Sequence, residues 1–232
     1  MFQAVRHPDK WKMFWRQLMV EFQSLGVESV GIVAMISVFM GGVAAIQTAY
    51  NIDNPLIPMT MVGFTVRQSI ILEFAPTVMS LILAGKVGSR IASEIGTMRV
   101  TEQIDALQIM GVNSANFLIF PKIVAAVIFN PVLITLSMLL GLFGGWLASV
   151  SLNLVSSGDY IEGMQSWFDP YIVTYALIKT AIFAFLIVSV SAFHGYVIKG
   201  GALDVGSAST KAVVHSSILI ILFNLLLTQL LL

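Results

Sequence analysis

Two charged residues stand where an apolar chain tolerates charge least. Lys179 lies inside the run YIVTYALIKTAIFAFLIVSVSAF, and Glu73 opens the run EFAPTVMSLILAG. A charge inside a bilayer is costly, so such groups face a cavity or an opposite charge. Glu73 and Lys179 are therefore expected to lie near one another, at the mouth of an apolar cavity where an acid orients a polar headgroup. The plainer readings are that Glu73 complements the positive end of a helix dipole and that the long Lys179 stem snorkels to the outer interface. Other chemistry is missing from the pattern. The chain has no GxxxxGK[ST] loop, and GALDVGSASTK holds its glycines and lysine in an order that does not wrap amides around phosphate. His7, His194 and His215 fall in separate segments without HExxH or carboxylate spacing, so neither a catalytic centre nor a metal or cofactor site is expected. The lack of cysteine excludes disulfides, thiolate ligands and cysteine nucleophiles.

The second readable segment is GTMRVTEQIDAL, from Gly96 to Leu107. Thr97 suits a helix N-cap, after which Val100, Ile104 and Leu107 mark one face and Thr101, Asp105 and Gln108 another. The spacing predicts a short amphipathic helix whose apolar face rests on membrane helices. Its polar face would offer Arg99, Glu102 and Asp105 to a partner. The plainer reading is a connecting helix with solvated charges.

The elements that must hold these groups are membrane spans. The chain has 232 residues, 57% of them hydrophobic and only 10% charged, with a mean hydropathy of +0.91. Soluble domains carry roughly a quarter charged residues, so an all-α integral membrane protein is expected. Twelve basic residues balance twelve acidic ones, which gives no field directed at nucleic acid. Five windows, at about 28–50, 70–92, 117–150, 171–198 and 212–232, meet the ~20 apolar residues that a span requires. Pro121 and Pro131 predict a kink or an interfacial lead-in to the third. Residues 1–26 lack the uninterrupted apolar core of a secretory signal and are expected to be retained. Trp11, Phe14, Trp15, Leu18, Met19, Phe22 and Leu25 recur at intervals of three and four, as in an interfacial helix or one packed on a partner.

With the N-terminus in the cytoplasm, Arg6, Lys10, Lys12, Arg16, Lys86, Arg90, Arg99, Lys122, Lys199 and Lys211 fall inside. Only Arg67 falls in the outer loops, expected at about 51–69 and 152–170 and holding Asp53, Pro55, Asp159 and Asp169. The C-terminus then ends outside. Rows of small residues allow close helix approach in lipid: Ser37, Gly41, Ala45 and Ala49 in the first span; Ser80, Ala84, Gly88 and Ala92 in the second; Ser137, Gly141, Gly145 and Ser149 in the third. These three helices are expected to form the tight core, and the last span to face lipid over much of its surface.

The block Glu94-Ile95-Gly96-Thr97-Met98, followed by Thr101-Glu102-Gln103-Ile104-Asp105-Ala106-Leu107, resembles the MlaE family of ABC-transporter permeases, which includes the YrbE-type subunits of Mce systems. Glu73 with Ala75-Pro76, Ala84-Gly85, Gly88-Ser89, Pro121, Lys179 and VGSASTKAVVHSS from Val205 extend the resemblance. It covers about residue 20 to the end. The resemblance implies a homodimeric inner-membrane permease, without an ATPase site of its own, that moves phospholipid or a related lipid between the inner membrane and the outer envelope. It implies as partners a cytoplasmic ABC ATPase, a periplasmic MCE-domain protein and, in some systems, a STAS-domain subunit. Residues 1–26 would be an interfacial helix and 27–232 the permease domain. Glu73, Pro76, Ala84 and Lys179 would lie at the lipid pocket. Residues 94–108 would be the coupling helix, presenting Glu94, Gly96, Thr97, Met98, Arg99, Glu102, Gln103 and Asp105 to the ATPase. Some relatives carry an arginine immediately before the glutamate, where this chain has Leu72. Two other readings of the residues are a proton- or ion-coupled secondary transporter acting through Glu73 or Lys179, and a membrane scaffold that only assembles partners.

Overall fold

The computed structural model describes residues 11–52 and 57–231, with the side chains of Trp11 and Lys12 left aside. Arg6, Lys10, Asp53 and Pro55, counted above toward the two sides of the membrane, lie outside the described residues, as do all of residues 1–10 of the expected interfacial helix. The described chain is helical throughout its regular parts. In order, it forms α1 (Trp11–Glu21), a π-helical stretch (Phe22–Val27), α2 (Glu28–Asn51) and α3 (Thr60–Ser69). A second π-helical stretch (Ile70–Val78), α4 (Met79–Leu83), a third (Ala84–Gly88) and α5 (Ser89–Val100) then follow without a break. The remainder is α6 (Gln103–Ile109), α7 (Ser114–Ser151), α8 (Ser157–Gln165), α9 (Pro170–Tyr196) and α10 (Ala202–Leu231). Among the described residues, five continuous helical stretches are long and apolar enough to cross a membrane: Met13–Asn51, Thr60–Val100, Ser114–Ser151, Pro170–Tyr196 and Ala202–Leu231. The protein is an all-α integral membrane protein with five spans, each of the first three longer than its apolar window.

The prolines do not interrupt the third span. Asn113 caps α7 by accepting the Asn116 amide at 3.2 Å, and the helix is assigned through both Pro121 and Pro131 to Ser151. In the second span, Pro76 lies inside the π-helical stretch Ile70–Val78. A proline removes one backbone donor and crowds the preceding turn, and a widened turn accommodates both.

The chain divides into two compact units. One comprises residues 30–79 and 131–179. Here the small-residue rows of α2 and α7 meet: Ser37 donates to Ser137 at 2.8 Å, and a side chain at Gly41 would strike the Gly141 backbone. Gly144 likewise lies against the Val38 backbone. The expected outer loops are largely helical. α3 and α8 pack through Gly63, which faces the Tyr160 carbonyl, and Gly163, which faces the Thr60 carbonyl. Arg67, 2% exposed, donates to the carbonyls of Met164 at 2.7 Å, Ser166 at 2.8 Å and Trp167 at 3.3 Å. It thereby satisfies the carbonyl end of α8, which has no helical partners of its own. Windows chosen on apolarity pass over both helices, because each is short and polar on one side.

The other unit comprises residues 1–29, 80–130 and 180–232. The small-residue row of the second span belongs here and packs on α9: Gly88 lies beside Ser191, and Gly195 beside the Ala92 carbonyl. Within this unit α1 docks on α7, with Phe14 and Leu18 buried against Ala125, while Trp15 and Met19 remain 52% and 59% exposed.

Candidate functional site

Glu73 lies in the widened turn of the second span and Lys179 on α9. The Lys179 ammonium reaches a Glu73 carboxylate oxygen at 2.9 Å, the Leu72 carbonyl at 3.3 Å and the Tyr175 hydroxyl at 3.1 Å. Three donors thus meet three acceptors, which a fully buried ammonium requires. The other carboxylate oxygen accepts from Thr77 at 2.9 Å. The two partners differ in access: the Lys179 side chain is 0% exposed, while that of Glu73 is 42% exposed. Neither snorkelling nor a helix-dipole role alone describes this pair, and the sequence expectation that the two residues meet is what the geometry gives. Leu72 contributes its carbonyl to this site.

Pro76 is buried within the same turn as Glu73. Ala84 is 0% exposed and packs among Phe183, Ile187, Ile220 and Leu227. The crevice beside Phe74 and Ala75 measures only ≈ 10 Å³, and none of Glu73, Pro76, Ala84 or Lys179 lines it.

The 94–108 segment is not the single helix capped at Thr97 that the pattern suggests. The second span continues through Gly96 and Thr97 to Val100, and the chain turns at Thr101–Glu102, where Glu102 adopts φ 58°. Neither residue is one that sequence reading takes as a breaker, and a left-handed non-glycine residue costs about 1 kcal/mol. Compensating contacts span the break. Arg99 pairs with Asp105, the Glu102 amide donates to the Arg99 carbonyl at 3.2 Å, and the Glu102 carbonyl accepts from Ala106 at 3.0 Å. As expected, Ile104 is the inward residue of α6, at 0% exposure. Gly96 is buried against Ile198 and Val205. Thr97, Glu102 and Gln103 are exposed, and Met98 is half-buried.

Two features of this region escape the sequence reading. Ile109 and Met110, at the end of α6, are 87% and 68% exposed. An apolar cavity of ≈ 390 Å³ lies beside them, walled by Met13 and Phe14 of α1 with Leu107, Met110 and Phe117. Lys122, whose side chain is 3% exposed, binds Glu21 at 2.5 Å and Glu94 at 2.8 Å. One lysine thereby joins α1, α5 and α7, and the Glu94 carboxylate is already engaged within the chain. A lysine directly after Pro121 at the head of an apolar run was the available signal; its carboxylates, 28 and 101 residues away, were not.

The family model for the MlaE permease matches residues 18–230. A probable ABC transporter permease protein of Rickettsia bellii is 37% identical over 97% of this chain and 85% of its own length. The intermembrane phospholipid transport system permease protein MlaE of Haemophilus influenzae is 33% identical over 91% of this chain and 81% of its own. A chloroplast protein of Arabidopsis thaliana, TRIGALACTOSYLDIACYLGLYCEROL 1, is 28% identical over 98% of this chain and 65% of its own length.

Proposed function

Because this chain belongs to the MlaE permease family, we propose that it is the membrane subunit of an ABC transporter for phospholipid, working as a homodimer in the inner membrane. The match over residues 18–230, at a third identity to a phospholipid permease, is the observation that carries this reading. A separate cytoplasmic ATPase supplies the energy, and a periplasmic MCE-domain protein exchanges lipid with the chain; a STAS-domain subunit joins the ATPase side in some systems.

The N-terminus and the 94–110 segment lie in the cytoplasm and the C-terminus in the periplasm, since Lys86, Arg90, Arg99, Lys122, Lys199 and Lys211 then all fall inside. Thr97, Met98, Glu102, Gln103 and the exposed Ile109 and Met110 form the surface that the ATPase grips. Arg99 and Asp105 brace the bend that presents it, and Lys122 with Glu21 and Glu94 ties that bend to α1 and α7. Apolar contact supplies affinity here and the surrounding charges supply orientation.

Glu73 faces the headgroup. Its open carboxylate accepts hydrogen bonds from headgroup hydroxyls or ammonium while Lys179 fixes its position, and Pro76 sets the wide turn that aims it. A chamber large enough for acyl chains is completed by the second copy. Exposing those chains to water costs ~0.8 kcal/mol per CH₂, which a continuous apolar path avoids.

The test is purification of the chain in mild detergent together with its ATPase, followed by transfer of labelled phospholipid between vesicles. Transfer that requires ATP and survives collapse of the proton gradient is expected. Transfer that follows the proton gradient and persists without the ATPase overturns the assignment in favour of a secondary transporter.

A further inference from the structure

His194, in the last turn of α9, and His215 of α10 meet through His194 Nε2 and His215 Nδ1 at 2.9 Å, with ring planes 6° apart. That separation is shorter than the spacing of two stacked rings, so the nitrogens meet edge-on in an N–H···N hydrogen bond. One proton occupies the bond. A neutral pair has a second, which must sit on an outward nitrogen, His194 Nδ1 or His215 Nε2, so the pair presents at least one donor away from itself. Lys211, one turn before His215 on α10, is exposed, and among the described residues no carboxylate pairs with it. The charged groups of α5, which packs on α10, are engaged elsewhere: Arg90 with Glu28, Glu94 with Lys122 and Arg99 with Asp105. The cluster is therefore a small cationic donor site.

Its depth and continuation indicate what it takes. α10 changes from polar to apolar at Ser217–Ile218, so Lys211 and His215 lie in the turns where a bilayer places phosphate groups. Below them, at alternating steps of three and four, Ile218, Leu222 and Leu225 form an outward stripe, 55%, 49% and 70% exposed. Donors over an apolar track on one helix face match an amphiphile with an anionic head and a hydrocarbon tail.

We propose that His194, His215 and Lys211 bind the phosphate of an anionic phospholipid whose acyl chain lies along Ile218, Leu222 and Leu225. This site rests on the membrane placement given above but not on coupling to an ATPase, and it is separate from the Glu73–Lys179 pair. The experiment uses the full chain alone in phosphatidylcholine nanodiscs containing a minority of phosphatidylglycerol, with retained lipid counted by native mass spectrometry after delipidation. The wild-type chain is expected to retain phosphatidylglycerol in preference to phosphatidylcholine. Lys211→Ala should reduce the preference roughly fivefold, as expected for one interfacial cation, His215→Ala should reduce it by a smaller factor, and Lys211→Arg should preserve it. Equal retention by the wild type and both alanine variants, at unchanged thermal stability, overturns the proposal, as does displacement of the lipid by inorganic phosphate alone. Because the chain has no cysteine, Leu222→Cys gives a single reporter. Rapid disulfide-linked dimer formation through it shows that a second copy covers the stripe and also overturns the proposal, whereas slow crosslinking with lipid retained supports it. None of these readouts involves ATP, so their failure is distinct from failure of the transporter reading.

Discussion

Two buried lysines, one in each unit, solve the same electrostatic problem in different ways. Lys122 gathers two carboxylates from two other helices. Lys179 takes one carboxylate and completes its shell with a carbonyl and a phenol. The first arrangement is a fastener that joins α1, α5 and α7 through Glu21, 13% exposed, and Glu94, 44% exposed. The second holds Glu73, 42% of whose side chain is open. Each site thus shows one open carboxylate, and what sets Lys122 apart is the second, nearly buried anion of Glu21.

That contrast predicts a graded series of effects. The largest is expected for Lys122→Ala, which strands the largely buried Glu21 and releases Glu94, and should cost roughly 3 kcal/mol or more. Thermal unfolding in detergent should report it, together with loss of ATPase co-purification; a variant as stable as the wild type breaks the fastener reading. Next comes Lys179→Met. Glu73 can recover hydration, so a loss of about 1–2 kcal/mol is expected, alongside a marked fall in phospholipid transfer. Smaller again in stability is Glu73→Gln, which retains an acceptor for Lys179 and should change stability by less than about 1 kcal/mol while still weakening lipid photocrosslinking. Unaltered crosslinking with Glu73→Gln would reduce the pair to architecture and erase the contrast. The smallest stability effect, about 0.5 kcal/mol, is expected for Asp105→Asn at the half-exposed Arg99 pair, and its consequence should be read as weaker ATPase binding in a pull-down.

How far the sequence reaches follows the same division. Spans, the inward role of Ile104 and the meeting of Glu73 with Lys179 are legible, because burial in lipid imposes strong rules on apolar length and on stray charge. The pairing of small-residue rows is less so. Each row announces a close contact without naming its partner, and the α9 partner of the second span's row had no local signature. The break at Thr101–Glu102 has no local signature; it is held by contacts across it, the Arg99–Asp105 pair above all. Ala84 read as a cavity wall from its family position, yet side-chain size alone does not distinguish a wall from a packed interior. Lys122 was visible as a charge but not as a junction, since its acids lie on two other helices.

The seam at Ser37, Gly41, Gly141 and Gly144 has a further consequence for cargo. Where the main chains of α2 and α7 touch, no slit remains through which a hydrocarbon tail could slide sideways. A lipid that enters or leaves this unit is therefore expected to do so along another flank, and enlarging either glycine would wedge the two helices apart.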